Sequence, residues 1–277
     1  MDGRRLAAAL LDELRARRAA AGNPSVTLAT VVVGGDRAAV ANVTAKHRAA
    51  TAIGMGWRHV ALPATVAPAD LAAAVAGLVD DPGVHGVFVQ LPLPAALDTG
   101  AVLDLVPPAQ DVDGLGAASL ARLVRGHPGP IPATAEAVLR LLGAAGVATA
   151  GRRAVVVGHG PYLAVPLALL LARAGAGAVV LADPDDPGLA TTCRAADLVV
   201  TTADRPGLIG ADHVAPGAAV IDAGVTRTAA GVVGDVDMAA VRPVAGWLVP
   251  MPGGVGPMTV ACLLGHTVDA ALGGAGR

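Results

Sequence analysis

The chain contains few aromatic residues: two Trp, one Tyr and one Phe among 277 residues. Charged residues are also sparse, at 15%, whereas hydrophobic types make up 54%. Without large rings, the core has to be built from Ala, Val, Leu and Gly, which favours closely packed helices on a Val-rich parallel sheet. At this length we expect one large domain or two ordinary ones.

What is missing also narrows the class of protein. The two cysteines, Cys193 and Cys262, lie in apolar surroundings, and the seven histidines form no close HxH or HxxxH pair, so we predict neither a disulfide framework nor a metal site. A net charge of −2 with scattered basic residues gives no nucleic-acid surface. Apolar runs such as 167–172 are too short to cross a bilayer, and the charged N-terminus is unlike a signal peptide. We therefore expect a cytoplasmic enzyme without membrane contacts.

Helix and strand patterns alternate in the first half of the chain. Leucines at helical spacing precede a β-branched run, and the predicted order then continues as helix, strand, helix and strand. This order implies a parallel sheet with right-handed crossovers. The predicted segments are a strand at 26–34, a helix from about Asp36 to Ile53, a strand near 57–63, a helix within 65–81 and a strand over 84–94.

The proline- and glycine-rich stretch 125–132 is the best candidate for a domain boundary. A predicted helix at 134–146 follows it and leads into a strand, a glycine turn, a helix and a second strand between residues 152 and 183. Two more buried strands are predicted at 197–203 and 218–224. The second half of the chain is therefore also an αβ arrangement.

The glycine turn after the strand 155–157 predicts a dinucleotide site. Gly158, His159 and Gly160 are followed by Ala164, a GxGxxxA variant of the usual fingerprint. Glycines allow a tight turn and close backbone approach, and the next helix offers free N–H groups to a pyrophosphate. The alternative is a purely structural turn, because many αβ proteins turn with glycines.

Asp183 ends the strand that follows this helix. An acidic side chain there accepts hydrogen bonds from the adenosine ribose and repels a 2′-phosphate. No Arg or Lys follows before Arg194, so the sequence favours NAD over NADP. The alternative role for Asp183 is a helix N-cap or a turn residue.

Polar residues in the first half form a second candidate site. Asn42 and Lys46 are spaced i, i+4 on one face of a predicted helix, although the segment 46–48 on its own favours a solvated charge patch. Gln90 stands at the carboxyl end of a predicted strand, where open αβ sheets place ligand sites. Asp111 and Asp113 lie in a glycine-ended loop, for which a simple turn is the alternative.

A stiff loop near the C-terminus alternates two kinds of backbone restraint. Three prolines fix φ near −65°, and three glycines permit positive φ or close approach of another group. The alternative is an ordinary stiff connection between a strand and a helix. The residues concerned are Pro250, Pro252, Gly253, Gly254, Gly256 and Pro257.

Together, the segments QLPLP (90–94), QDVDG (110–114), AVIDAGVTR with GVVGDVD (219–237) and PMPGGVGPMTVACLL (250–264) resemble the signature segments of the bifunctional methylenetetrahydrofolate dehydrogenase/methenyltetrahydrofolate cyclohydrolase family. Their order matches as well, and the resemblance runs from the first helix to the last. It implies an α/β fold of two αβ domains with a cleft between them. The first is a folate-side catalytic domain, 1–127, completed by a C-terminal helix at 256–277; the second, 128–255, is a Rossmann-type doubly wound parallel sheet.

The resemblance also implies ligands and residue roles. The partners are tetrahydrofolate one-carbon derivatives, NAD or NADP, and a second copy of the chain in a homodimer. Lys46 matches the catalytic lysine, Gln90 the glutamine that holds it, and Asp113 the aspartate that binds the pterin ring. The substrate side further includes Asn42 and a wall formed by Pro252, Gly253, Gly254, Gly256 and Pro257. The cofactor-binding residues are Gly158, His159, Gly160, Pro161, Tyr162, Asp183, Thr202, Gly224 and Val225.

The chain departs from the family pattern at several of these positions. Asn42 stands where a tyrosine usually packs on folate, Gly160 replaces a serine, and Gln110 replaces a lysine. We expect oxidation of 5,10-methylenetetrahydrofolate by NAD(P), followed by hydrolysis of the methenyl product to 10-formyltetrahydrofolate. The alternatives are a dehydrogenase-only or specialised-pathway relative with weakened cyclohydrolase activity, and a non-catalytic folate- or nucleotide-binding partner protein.

Overall fold

A computed structural model describes residues 2–35, 37–229 and 231–273, without the side chains of Arg37 and Ala38. Asp36 and residues 274–277, which belong to predicted helices, lie outside the described residues. The chain forms two compact units. The small-sheet unit contains Ala8–Ala133 and Val260–Arg277, and the large-sheet unit contains Met1–Ala7 and Thr134–Thr259.

The small-sheet unit has three parallel strands, which lie across the sheet in the order β2 (Gly56–Leu62), β1 (Thr27–Val33) and β3 (Gly86–Val89). The central strand is buried along nearly its whole length, and helices α1 to α3 supply apolar faces around it. The core includes Leu14, Leu28, Ile53, Leu71 and Leu263, each at most 1% exposed. In chain order the elements are α1 (Gly3–Ala20), β1 (Thr27–Val33), α2 (Arg37–Ala52), β2 (Gly56–Leu62), α3 (Pro68–Val79), β3 (Gly86–Val89), α4 (Thr99–Leu103) and α5 (Ala117–Arg125).

Local sequence explains where these elements begin and end. Helix α3 starts at Pro68. Proline is tolerated there because an N–H in the first turn has no acceptor within the helix. The helix buries Leu71, Val75 and Leu78 on one face. Strand β3 is shorter than the predicted 84–94 and ends at Val89. The prolines that follow cannot donate to a ladder, so pairing stops before them.

The large-sheet unit has five parallel strands, which lie across the sheet in the order β10 (Trp247–Val249), β7 (Ala219–Asp222), β6 (Leu198–Thr201), β4 (Arg153–Val157) and β5 (Ala178–Ala182). Strand order reverses at β4, which pairs with β5 on one side and β6 on the other, as in a doubly wound sheet. The prediction of an α/β fold with a Rossmann-type sheet is confirmed. The elements are α6 (Ala133–Ala144), β4 (Arg153–Val157), α7 (Ala164–Arg173), β5 (Ala178–Ala182), α8 (Leu189–Arg194), β6 (Leu198–Thr201), β7 (Ala219–Asp222), β8 (Thr226–Thr228), β9 (Gly231–Val233), α9 (Met238–Val241), β10 (Trp247–Val249) and α10 (Val255–Ala271).

The short antiparallel pair β8–β9 lies between β7 and α9 and was not predicted. Each of its strands has three residues, too few for an alternating pattern to be recognised. Within the described ranges, no helix is long and apolar enough to span a membrane.

Candidate active site

The small-sheet unit brings Lys46, Phe88 and Gln90 together. The Lys46 Nζ donates to Gln90 Oε1 at 3.4 Å and lies 4.4 Å from the centroid of the Phe88 ring. Lys46 is 8% exposed and Gln90 7%, whereas the neighbouring His47 is exposed. Lys46 is thus a buried amine held at its head by an amide and an aromatic ring, and it is not part of a solvated charge patch.

The end of β3 fixes the glutamine. Gln90 is the residue after Val89, its backbone N–H donates to Val31 O at 2.9 Å, and its side-chain Nε2 donates to Leu91 O at 2.6 Å. The amide orientation that satisfies Leu91 O turns Oε1 toward the lysine. Gln90 therefore holds the Lys46 amine without adding a charge.

Burial lowers the pKa of Lys46 below its ordinary value, and the negative charge of Asp113 opposes this shift. Desolvation penalises the charged ammonium, so a larger fraction of neutral amine is present near neutral pH than in an exposed lysine. Such an amine can take up and return a proton during a reaction.

Asp111 organises the loop between α4 and α5. Asp111 is 4% exposed; its Oδ1 accepts from Gly114 N and its Oδ2 from Gly116 N, both at 2.9 Å. Gly114 has φ 69°, and a Cβ there would meet the backbone of Ile131. The turn interpretation therefore fits Asp111, whose carboxylate is consumed by the loop itself.

Asp113 lies in the same loop, but its carboxylate has a different environment. Burial raises the pKa of Asp113 to about 6. The positive charge of Lys46 opposes this rise, the negative charge of Asp111 adds to it, and the charge of His266 opposes it. Within the described part of the chain, no hydrogen bond reaches its carboxylate oxygens, while its backbone O accepts from Ala133 N at 3.1 Å. The backbone is anchored, and the side chain remains available to a ligand.

In the large-sheet unit, the predicted cofactor residues follow the carboxyl ends of parallel strands. Val157 pairs with Ala182 and with Thr201, so these three strands end at the same level. The residues immediately after them are Gly158, Asp183 and Thr202. In open αβ sheets, ligands bind outside the carboxyl ends at the point where strand order reverses, which here is the β4–β6 pair.

The turn after β4 requires glycine at one position. Gly158 has φ 126°, and a Cβ there would overlap Thr202 Oγ1, which donates to Val157 O at 3.1 Å. Around Gly160, in contrast, no atom lies within 4 Å of an added Cβ. The loop is therefore tight against β6 at its first glycine and open at its second. His159, Gly160 and Pro161 are exposed, and Tyr162 is half-buried.

Helix α7 begins without a side-chain cap. Its N-cap residue is Leu163, which supplies no hydrogen-bonding side chain, and Pro166 removes one further donor from the first turn. The Val165 N–H of the first turn donates to Gly160 O at 3.2 Å, so the glycine loop closes directly onto the helix, and the positive end of the helix dipole behind this loop fits the pyrophosphate of a dinucleotide. The donor set is thus compatible with a nicotinamide dinucleotide.

Asp183 lies at the end of β5 and is exposed. Its Oδ1 accepts from Asp185 N at 2.8 Å, which makes it the first residue of an Asx turn. The turn interpretation of this residue is therefore realised. Within the described residues, the turn uses only the Oδ1 atom of Asp183. It is therefore compatible with a ribose contact through Oδ2.

Comparisons with known proteins agree with this geometry. Residues 1–113 match the family model "Tetrahydrofolate dehydrogenase/cyclohydrolase, catalytic domain", and residues 132–273 match "Tetrahydrofolate dehydrogenase/cyclohydrolase, NAD(P)-binding domain". The chain belongs to this family. The resemblance inferred from the sequence is confirmed.

Individual relatives cover almost the whole chain. The bifunctional protein FolD of Acidiphilium cryptum is 45% identical over 272 residues, 98% of this chain and 97% of the relative. The crystal structure of the bifunctional enzyme FolD from Campylobacter jejuni has a TM-score of 0.94 at 33% identity, covering 98% of both chains. The Trypanosoma brucei FolD structure, complexed with NADP and an inhibitor, has a TM-score of 0.93 at 35% identity, covering 98% of this chain and 96% of that one.

The proline-glycine loop of this family member follows β10 and runs into α10. Gly253 has φ 101°, and a Cβ at Gly254 would overlap Val249 and Pro250 O. Local packing therefore demands a glycine at 254, whereas a Cβ at Gly256 would meet nothing within 4 Å. Pro252 precedes the helix, and Gly256 and Pro257 form part of its first turn.

Asn42 lies on α2, one turn before Lys46, and its side chain is exposed. Gly224 is buried and Val225 is 45% exposed; both follow β7. The Val225 N–H donates to Asp204 Oδ1 at 2.7 Å. That N–H is already used within the protein.

Sequence reasoning missed two aspartates of the large-sheet unit, Asp222 and Asp235, both 0% exposed. Asp222 accepts from the backbone N–H groups of Gly224, Asp235 and Val236 at 3.0 to 3.2 Å. Burial is the largest effect on Asp222 and raises its pKa to about 6. The hydrogen bonds from the Asp235 and Val236 N–H groups oppose this rise, the negative charge of Asp235 adds to it, and the hydrogen bond from the Gly224 N–H opposes it. Asp222 therefore closes the base of the β8–β9 hairpin.

Asp235 connects that hairpin base to the loop after β6. Its Oδ2 accepts from Thr201 Oγ1 at 2.6 Å and Ala203 N at 2.7 Å, and its Oδ1 accepts from Arg205 N at 2.7 Å. A Cβ at Gly224 would overlap the Asp235 carboxylate, and one at Gly234 would overlap Asp222. The GDVD segment belongs to the family signature. Gly224 and Gly234, which pack against the two carboxylates, were the local signal of close packing in this region.

Phe88 and His266 were also missed as site residues. Phe88 is two residues before Gln90, so strand alternation placed both on one face and could have predicted a ring near the lysine. His266 lies on α10, and its Nδ1 is 2.8 Å from Val112 O. No local pattern reveals this contact, because the two residues are far apart in the chain. In the part of the chain that the structure describes, no cluster of three or more His, Cys, Asp or Glu is arranged to hold a metal.

Proposed function

We propose that this chain oxidises 5,10-methylenetetrahydrofolate with a nicotinamide dinucleotide and hydrolyses the methenyl product to 10-formyltetrahydrofolate. The observation that carries the proposal is the buried Lys46 amine, held by Gln90 and electrostatically coupled to Asp113. Matches to both family domains and to full-length bifunctional relatives support it.

Asp113 is proposed to bind the pterin ring. A carboxylate accepts two parallel hydrogen bonds from neighbouring N–H donors, such as the amide and amino groups of a pterin. Because its pKa is about 6, the carboxylate is ionised at neutral pH and can accept both. Asn42 would contribute a polar contact at the exposed end of α2, without the stacking surface of a tyrosine.

The dinucleotide is proposed to lie across the carboxyl ends of the large sheet. Gly158 to Tyr162 and the N-terminus of α7 would hold the pyrophosphate, and Asp183, after β5, would hold the adenosine ribose. The nicotinamide half then falls on the β6–β7 side, near Thr202, Gly224 and Val225. When bound, the nicotinamide supplies the hydride acceptor; the residues contribute alignment, the main requirement of the oxidation.

Lys46 is proposed to perform the proton transfers of the hydrolysis. As water attacks the methenyl carbon, a C–O bond forms and one water proton passes to the neutral amine. The C–N bond to N5 then breaks as the new hydroxyl loses its proton and becomes the formyl C=O; N5 takes up one proton, and the other is released to solvent. Gln90 keeps the amine oriented, and burial beside Phe88 keeps a neutral fraction available. The residues Pro252 to Pro257 are proposed as a wall for both ligands.

Three finer features remain proposals. NAD is favoured over NADP because a carboxylate at 183 repels a 2′-phosphate. The protein is proposed to be a cytoplasmic homodimer, as in the family. The folate-side domain is proposed to comprise 1–127 with the helix from 256, and the dinucleotide-binding domain 128–255.

The test measures both reactions on the purified protein. Methylenetetrahydrofolate is mixed with NAD or NADP, and fluorescence of the reduced nicotinamide is followed; separately, decay of methenyltetrahydrofolate absorbance is compared with the buffer rate. We expect reduction with at least one cofactor and accelerated decay. Absence of reduction with either cofactor would reject the dehydrogenase, and decay at the buffer rate would reject the cyclohydrolase.

A further inference from the structure

Asp204 has a backbone conformation that side chains rarely adopt. It lies three residues after β6 with φ 55°, in the left-handed region. Both neighbours are tied to one buried carboxylate, because Ala203 N and Arg205 N each donate to Asp235 at 2.7 Å. Strained residues persist where the surrounding structure over-determines them, and they cluster at functional sites.

The side chain of Asp204 uses this conformation to reach the next strand connection. Its Oδ1 accepts from Val225 N at 2.7 Å, and its backbone O accepts from Thr226 Oγ1 at 2.9 Å. Strands β6 and β7 are paired neighbours, with Thr201 opposite Asp222. One residue thus joins the two loops that leave the carboxyl ends of these strands.

These two loops occupy the side of the sheet to which the nicotinamide half is assigned. We infer that Asp204 is a positioning residue for the nicotinamide half of the cofactor: its carboxylate fixes the Val225 backbone in the geometry that receives the ring. This inference rests on the proposed function. It gives Asp204 a role that no sequence pattern indicated, since an exposed aspartate in a turn is usually only a turn residue.

Electrostatics alone predicts the opposite effect of removing this carboxylate. A dinucleotide is anionic, so loss of a nearby negative charge would tighten its binding. If Asp204 acts by holding Val225, its loss loosens the subsite and weakens binding. The sign of the change therefore separates positioning from a charge effect.

Two substitutions distinguish the effect of the Asp204 carboxylate from the effect of the backbone conformation at this position. Asp204→Gly removes the carboxylate but tolerates φ 55° without strain. Asp204→Asn keeps an acceptor for Val225 N and also tolerates the left-handed region. Asp212→Asn is the charge control, because it removes an exposed carboxylate of the same unit that pairs with His213.

The dissociation constant for NAD is measured by titration calorimetry, and exchange of the Val225 amide by hydrogen–deuterium exchange. For Asp204→Gly we expect about a tenfold rise in the dissociation constant and faster exchange at Val225. Asp204→Asn should recover most of the affinity, and Asp212→Asn should change it less than about twofold. KM for NAD should follow the dissociation constant, while cyclohydrolase activity without NAD stays unchanged.

Unchanged or tighter NAD binding by Asp204→Gly overturns the inference, even when Val225 exchanges faster. An equal loss of NAD affinity and cyclohydrolase activity also overturns it, because that result indicates general destabilisation. Failure of the proposed function is a separate outcome, in which the unmodified protein shows neither reaction whatever its affinity for NAD.

Discussion

Asp222 in the large-sheet unit and Asp113 in the small-sheet unit are both buried enough to raise the pKa of each to about 6. Asp222 accepts three backbone N–H groups, whereas the Asp113 carboxylate faces the charges of Lys46, Asp111 and His266. Asp113 is half-buried, so its carboxylate combines a raised pKa with access for a ligand, a combination that is typical of binding sites. The contrast teaches that the partners of an aspartate, more than its burial, separate a structural role from a binding role.

The largest expected effect concerns the ligand-binding role assigned to Asp113 and its neighbour Lys46. Lys46→Ala removes the amine coupled to Asp113, and we expect cyclohydrolase activity to fall by about 10²- to 10⁴-fold while NAD-dependent reduction persists. Methenyltetrahydrofolate decay measures the change. Arg48→Gln, an exposed neighbour on the same helix, is the control and should retain activity. Decay by Lys46→Ala at a rate close to that of the unmodified protein would contradict the assigned role.

The structural side of the comparison is tested by stability. Asp235→Ala leaves Thr201 Oγ1 and two backbone N–H groups without an acceptor, and we expect a loss of about 3 kcal/mol or more in the free energy of unfolding. Asp237→Ala, in the same GDVD segment, removes only a helix N-cap and should cost about 1 kcal/mol.

Urea unfolding measures this difference. In a Trp57→Phe background, Trp247 is the single tryptophan and reports on the large-sheet unit. Equal losses for the two variants would show that the Asp235 contacts do not contribute as the geometry indicates.

A smaller effect distinguishes Asp113 by its pH dependence. Because the folded-state pKa is raised from 3.8 to about 6, its contribution to stability is present below pH 4 and is lost as pH rises through 6. Relative to Asp113→Asn, the unmodified protein should therefore lose roughly 1–3 kcal/mol between pH 4 and pH 7. The measurement is urea unfolding across this range in a Trp247→Phe background. Parallel stability curves would mean that Asp113 is not a buried, charged group.

The smallest expected change concerns cofactor choice. Asp183→Ser removes the carboxylate that we place near the ribose, and the ratio of kcat/KM with NADP to that with NAD should rise severalfold, because the repulsion of a 2′-phosphate is removed. Asp185→Ser, two residues on and also exposed, is the matched control. A ratio unaffected by Asp183→Ser would indicate that this side chain does not face the ribose.

Gln90 and the glycine loop were predictable because each lies where a local pattern meets a strand end, whereas Lys46 lies inside α2 and its role followed only from the family resemblance. Gln90 follows β3, Gly158 follows β4, and Asp183 follows β5, positions that hydrophobic runs and their breaks reveal. The parallel sheets followed from the same alternation. Sequence reasoning also identified the family from short segments whose order was preserved.

The buried aspartates were not predictable in the same way. Asp222 ends an apolar strand and Asp235 follows a glycine, and neither position shows from local pattern that its carboxylate accepts hydrogen bonds from residues far along the chain. Asp204 depended on a positive φ that its residue type does not reveal. These features arise from tertiary contacts, which periodicity does not encode.

Neither compact unit is a single stretch of chain, since the backbone passes from one to the other near residues 7, 133 and 259. Recombination between related genes at one or two sites would consequently combine parts of different units instead of exchanging a whole one. The large-sheet unit could be transplanted between relatives only by replacing residues 1–7 together with 134–259. A single crossover in the gene therefore cannot separate the two units from each other.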